Sequence, residues 1–84
     1  MWYVYVLLSN VDKKFYVGFT ENLSKRLDLH SEGKVASTKD RRPLKLVYYE
    51  ASLNKQDALH RERYLKSTYG KKYIRNRLKN YLTG

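Results

Sequence analysis

Trp2-Tyr3-Val4-Tyr5-Val6-Leu7-Leu8 and Lys14-Phe15-Tyr16-Val17-Gly18-Phe19 are the two stretches whose reading decides the fold. In the first, Trp2, Val4, Val6 and Leu8 fall on one side and Tyr3, Tyr5 and Leu7 on the other. In the second, Phe15, Val17 and Phe19 oppose Tyr16 and Gly18. A period of two is the signature of a β-strand. The link Ser9-Asn10-Val11-Asp12-Lys13 is rich in turn formers, so the pair reads as a β-hairpin. When the faces match across it, Tyr5 and Tyr16 project to the same side, next to the bare backbone of Gly18.

Outward from the hairpin, Thr20 is a candidate cap for a helix running to about Glu32, with Glu21 in its first turn and Gly33 as its stop. The apolar stripe of that helix is Leu23, Leu27 and Leu29. At ~100° per residue, Arg26 and His30 share it, while Ser24, Lys25 and Asp28 point away. Residues 34–42 are basic and without periodicity, and read as the longest loop. Pro43 then leads into a third strand, Leu44 to Glu50.

Asn54 is positioned to cap a helix from about Lys55 to Ser67 with Ala58, Leu59 and Leu65 inward, and Glu62 lies at the centre of that inward stripe. Gly70 reads as a break before a last helix, Lys71 to Leu82, with Ile74, Leu78, Tyr81 and Leu82 inward. The order ββαβαα describes one α+β domain spanning residues 1–84, with a small three-stranded antiparallel sheet flanked by three helices.

With 84 residues, the chain is too short for a second core. It has no cysteine, which excludes disulfides, thiolate metal sites and cysteine nucleophiles. Any metal must therefore use oxygen or imidazole ligands. No apolar run approaches the ~18 residues of a bilayer span, and the N-terminal run lacks the flanks of a secretory signal, so a cytoplasmic protein without membrane partners is expected. Eighteen Lys and Arg against eight Asp and Glu give a net charge of +10, which favours polyanionic partners. Nine tyrosines among those cations supply stacking surfaces that suit nucleic acid.

Each candidate has a functional and a structural reading. Arg26 is either a phosphate clamp or a partner for a buried carboxylate such as Glu62. His30 is a proton acceptor or a satisfied core histidine. Glu62 on an apolar face costs several kcal/mol unless it pairs, takes up a proton or binds a cation, and a hard divalent ion such as Mg²⁺ suits it. Lys71-Lys72 opens a strongly basic final helix able to track a phosphate backbone. Ser37, Thr38, Lys39, Arg41 and Arg42 in the long loop are further phosphate contacts, as is Gly18, where backbone approach is unobstructed.

These residues resemble a GIY-YIG nuclease domain along essentially the whole chain. Tyr3-Val4-Tyr5 and Tyr16-Val17-Gly18 match the two namesake strings, with Arg26, His30 and Glu62 following in the family's order. Arg26-Leu27, Gly33, Arg42-Pro43, Leu46-Val47-Tyr48 and Leu65-Lys66 are similar to stretches in small stand-alone bacterial members. Those members are related to the nuclease domain of the excision-repair incision subunit. The resemblance implies a DNA endonuclease that uses Mg²⁺ or Mn²⁺, with structure-selective cleavage or DNA repair as its setting. Tyr16 would be the general base, passing its proton to His30. Tyr5 would orient water or phosphate, Arg26 would hold the phosphate, and Glu62 would ligate the metal.

Lys66 would join the nucleic-acid contacts. Tyr3 replaces the family's first glycine, and no residue fills the place of its late asparagine. Family nucleases take their target choice from attached DNA-binding domains, so a protein partner is an additional expectation. DNA is the expected substrate, with RNA as an alternative. A catalytically weak or inactive nucleic-acid-binding module with the same basic cleft is the alternative function. A third reading is a structural protein in which Arg26 and Glu62 merely pair.

Overall fold

The computed structural model describes all 84 residues. Strands β1 (Trp2–Ser9), β2 (Phe15–Thr20) and β3 (Leu44–Ser52) form one antiparallel sheet in the order β2-β1-β3. The hairpin is present in the expected register: Tyr5 lies opposite Gly18 and Leu7 opposite Tyr16, so both tyrosines share a face. Because β1 is central, Val4, Tyr5, Val6 and Leu7 are all buried, and the strand reads as apolar on both sides.

Helices α1 (Leu23–Ser31), α2 (Lys55–Lys66), α3 (Thr68–Arg77) and α4 (Lys79–Thr83) cover the two faces. On one face, Val4, Val6 and Val17 pack with Ala58 and Leu65 of α2 and Ile74 of α3. Trp2 and Phe19 stack at the margin of this core, with centroids 5.4 Å apart and planes 4° from parallel. β3 joins it through an irregularity beside Val6 and Leu7 that leaves Val47 facing the core between Leu46 and Tyr48. The other face carries Tyr3, Tyr5, Tyr16 and Gly18 and is roofed by α1 and the following segment.

Four local expectations are corrected by the structure. The cap of α1 is Asn22, whose side chain accepts from the Lys25 N–H, while Thr20 instead closes a turn by accepting from the Asn22 N–H at 3.1 Å. Gly70 does not break the chain. Ser67 ends α2 and caps α3 by accepting from the Gly70 N–H at 3.1 Å. Gly70 lies buried in the first turn of α3, where a Cβ would collide with the Tyr64 carbonyl and the Leu65 backbone. Its missing side chain lets α3 fold tightly back on α2.

The last helix divides at Leu78. Ile74 is buried and Leu78 half-buried as expected, but Tyr81 and Leu82 on α4 are 50 % and 36 % exposed. The segment taken as one loop contains a 3-10 turn at Lys39–Arg41, and Val35 and Thr38 within it are buried. No helix is long and apolar enough to cross a membrane.

Candidate active site

Face, register and helical period together bring three of the five expected residues, Tyr5, Arg26 and His30, into one hydrogen-bonded file, with Tyr16 packed beside it. Tyr5 rises from the middle of β1, and its ring lies over Gly18, where any Cβ would strike the phenol. Gly18 thus makes room for that ring, and its backbone is buried beneath it rather than open to a phosphate. α1 crosses above and delivers Arg26 and His30 one turn apart. Arg26 Nε donates to Tyr5 Oη at 3.4 Å, and Tyr5 Oη meets His30 Nε2 at 2.7 Å. His30 Nδ1 meets Thr38 Oγ1 at 2.8 Å.

A guanidinium can only donate, so Arg26 occupies a lone pair of Tyr5. The Tyr5 and Thr38 hydroxyls each carry a proton and lone pairs, so a neutral His30 accepts from one of them and donates to the other, in either tautomer. Burial pushes the Tyr5 phenol above its ordinary value, against the pull of its Arg26 hydrogen bond. Burial also pushes the His30 imidazole down, with the positive charge of Arg26 adding to the effect. Both shifts favour the neutral phenol and the neutral imidazole.

This arrangement corrects two expectations. His30 is not free to take a proton from Tyr16, because both of its nitrogens are bonded, to Tyr5 and to Thr38. Tyr16 meets the imidazole only edge-on, with centroids 5.2 Å apart. Tyr5 is completely buried, so it positions Arg26 and His30 and does not itself contact water. Tyr16 is the phenol at the surface of the site, half-buried, with its hydroxyl accepting from Ser37 Oγ at 3.4 Å. Sequence reasoning placed Thr38 among phosphate contacts; its role beneath His30 had no local signal.

Arg26 is half-buried and forms no ion pair, its guanidinium meeting only phenols: Tyr5 at Nε, with the Tyr16 hydroxyl close by. Its hydrogen bond to Tyr5 raises its affinity for its proton, and the Tyr16 phenol contributes in the same direction. A fixed cation that no carboxylate neutralises, set beside an accessible phenol, is suited to an oxyanion with two accessible oxygens.

Glu62 enters from the other side of the sheet, on α2. Its side chain is 19 % exposed and pairs with Lys66 at 3.2 Å. It forms no ion pair with Arg26, which removes the buried-pair reading of those two residues. Its charge nevertheless reaches Tyr5, where it adds to the upward shift of the phenol. The half-buried pair on this side of the sheet is Arg61 with Glu50, bidentate at 2.8 and 2.6 Å, with Tyr48 donating to Glu50 at 2.7 Å.

No three acidic or histidine side chains converge as a metal cage. The donor set is one hard carboxylate, Glu62, whose present partner is a largely exposed lysine. Such a set fits an ion of the Mg²⁺ type that keeps its waters and completes its shell with substrate phosphate.

The basic residues divide by their partners. Arg41 is committed to Asp12 at 2.7 Å and to the Lys14 carbonyl at 3.2 Å. Arg42 donates to the Lys39 and Ser31 carbonyls at 3.0 and 3.2 Å. Lys39, Lys71 and Lys72 are exposed without ionic partners. The largest recess, about 810 Å³, lies between α1 and Tyr3 and Tyr49, and none of the five expected residues lines it.

Residues 1–80 match the model of the GIY-YIG catalytic domain. Among relatives, a UPF0213 protein of Clostridium perfringens is 46 % identical over 67 residues, covering 79 % of this chain and 71 % of that protein. One from Lactiplantibacillus plantarum is 45 % identical over 64 residues, covering 73 % of this chain and 62 % of its own length. The UPF0213 protein YazA of Bacillus subtilis is 40 % identical over 62 residues, covering 73 % and 63 %. No solved structure matches the chain. The match begins before the first strand and ends in the last helix, taking in every residue of the file and Glu62, and the chain belongs to the GIY-YIG family of nucleases.

Proposed function

We propose that the protein is a divalent-metal-dependent endonuclease that hydrolyses DNA phosphodiester bonds. The observation that carries this reading is the Arg26 guanidinium, anchored through Nε to buried Tyr5 and held beside the Tyr16 hydroxyl with no carboxylate to neutralise it. Arg26 holds the non-bridging oxygens of the scissile phosphate and steadies the negative charge that grows on them. Tyr16, having first released its own proton to solvent beside the Arg26 charge, takes as phenolate the proton of the attacking water while the new P–O bond forms, and the leaving oxygen is protonated from solvent as its bond to phosphorus breaks. Tyr5, His30 and Thr38 keep Arg26 in place. Glu62 would hold a Mg²⁺ or Mn²⁺ ion, which supplies Lewis-acid stabilisation at the phosphate. DNA repair, structure-selective cleavage and a partner that supplies target choice are consistent with a domain this small.

The test is a nicking assay with Mg²⁺ or Mn²⁺ on duplex, branched, flapped and single-stranded DNA. Arg26→Ala should lower cleavage by about 10²–10³-fold with little change in Tm, the loss expected when one preorganised donor is removed from developing charge. Full activity in both Tyr16→Phe and Glu62→Gln removes the nuclease reading. A second reading, a nucleic-acid-binding module without turnover, is favoured by the lone carboxylate at the candidate metal position. It predicts binding that survives Glu62→Gln and no cleavage with either ion.

A further inference from the structure

At the hairpin turn, Asp12, Lys14, Phe15, Arg41, Lys71 and Arg75 line a recess of about 340 Å³. It holds four cations and one carboxylate. That carboxylate is consumed internally: Arg41 grips Asp12 through Nε at 2.7 Å and Nη2 at 3.3 Å, and this bond holds the Asp12 carboxyl down at about 2. Lys14, Lys71 and Arg75 have no ionic partner. Arg75 is steered into the recess by the Phe15 ring, 5.9 Å beneath its guanidinium. The cations come from the hairpin turn, from the 3-10 turn and from α3, so tertiary packing gathers them and not a local run of charge. Like charges facing one hollow repel one another, and an anion in the hollow reverses the sign of that interaction.

No residue of the site already described lines the recess, which sits at the outer edge of the sheet beside β2. Lys14 and Phe15 lead directly into Tyr16, about 7 Å from Lys14 at the rise of a strand. Arg41 follows Thr38, which carries His30, by three residues. β2 is an outer strand, so no further strand separates the recess from the surface beside Tyr16. We propose that this recess is a second phosphate subsite, which holds a backbone phosphate of the substrate strand as the strand passes around the edge of β2 from the one bound by Arg26. The proposal rests on the nucleic-acid reading above. It assigns Lys14 and Arg75 to binding, together with Lys71, and gives Arg41 the task of shaping the recess.

The experiment measures binding of fluorescein-labelled DNA by anisotropy, without divalent metal so that no cleavage intervenes, at salt concentrations from about 50 to 200 mM. Lys14→Gln/Lys71→Gln/Arg75→Gln is compared with a charge-matched control, Lys34→Gln/Lys45→Gln/Lys55→Gln. Loss of one phosphate contact should make the slope of log K against log salt shallower by about 0.9, and weaken binding about tenfold, beyond any change in the control. Equal losses in the two triples, unchanged binding in the recess triple, or a parent chain that binds no nucleic acid each overturn the proposal.

Because Arg75 packs on Phe15, the double variant Lys14→Gln/Lys71→Gln answers the same question should the triple fail to fold. Free anion is distinguished by titrating inorganic phosphate and a short oligonucleotide, at equal phosphate concentration, against the amide NMR signals of Lys14, Lys71 and Arg75. An equal response to both means an anion site unrelated to a strand and also overturns the proposal. Cleavage is scored separately on the parent chain with Mg²⁺. Recess-specific binding without cleavage sinks the nuclease reading alone, and cleavage without a recess effect sinks the subsite alone.

Discussion

The two faces of the sheet are built from the same strand and held by opposite physics. Toward α2 and α3, β1 presents Val4 and Val6 to Ala58, Leu65 and Ile74, an apolar contact without directional demands. Toward α1 it presents Tyr5, whose hydroxyl must satisfy Arg26 and His30 at once while His30 satisfies Thr38. The first face draws its stability from removing carbon from water. The second is stable only while each buried donor keeps its acceptor, and in exchange it fixes one guanidinium in one orientation. Functional geometry therefore lies on the face where a single missing atom matters, and bulk stability on the face where packing volume matters.

The largest expected effect breaks the apolar side. Leu65→Ala deletes a completely buried side chain between α2 and the sheet and should cost about 2–5 kcal/mol in chemical denaturation, with any DNA affinity of the residual folded fraction unchanged. A smaller change breaks the polar side. Thr38→Val keeps the shape but leaves the buried His30 Nδ1 without its hydrogen-bond partner, for about 1–3 kcal/mol. Its distinguishing signature is a further loss of DNA cleavage in the fraction that remains folded, because Arg26 loses the base of its support. If Leu65→Ala and Thr38→Val affect cleavage only in proportion to unfolding, the division between the faces is wrong.

The smallest effect sharpens the comparison through pH. His30 has a folded value below its ordinary 6.5, so the unfolded chain binds its proton more readily. The stability it protects is complete above 6.5 and declines as pH falls below that value. Glu50 is also lowered, chiefly by its Arg61 hydrogen bond, from an ordinary 4.5. The stability it contributes is complete above 4.5 and is lost only as pH falls from there toward its folded value. Thermal unfolding followed from pH 8 to pH 3 should thus decline in two windows, the upper absent from His30→Gln and the lower reduced in Glu50→Gln to the part that Asp12 contributes.

The strands, both principal helices and the shared face of Tyr5 and Tyr16 were legible because each depends on a short-range period, two in a strand and 3.6 in a helix. The same period placed Arg26 beside His30 and put Glu62 on the inward side of α2. Gly70 was misread because its local preference is to break a helix, whereas the reason for a glycine there is the Tyr64 carbonyl lying against it across the α2–α3 corner. Gly18 was misread in the same way, as an opening for a ligand and not as the seat of the Tyr5 ring. Tyr81 and Leu82 were counted inward on a continuous helix that in fact turns at Leu78.

The amino-acid order by itself determined the α+β architecture, the pairing of the hairpin, the basic character and the family, because these follow from local periodicity, total charge and short strings. Only the tertiary structure decided which partner each polar group takes. It gave His30 to Tyr5 and Thr38 instead of Tyr16, kept Glu62 from pairing with Arg26, and gave Asp12 to Arg41, leaving three cations to converge without one. A hydrogen bond or an ion pair depends on distances of a few ångströms between residues far apart in the chain, and no local period encodes them.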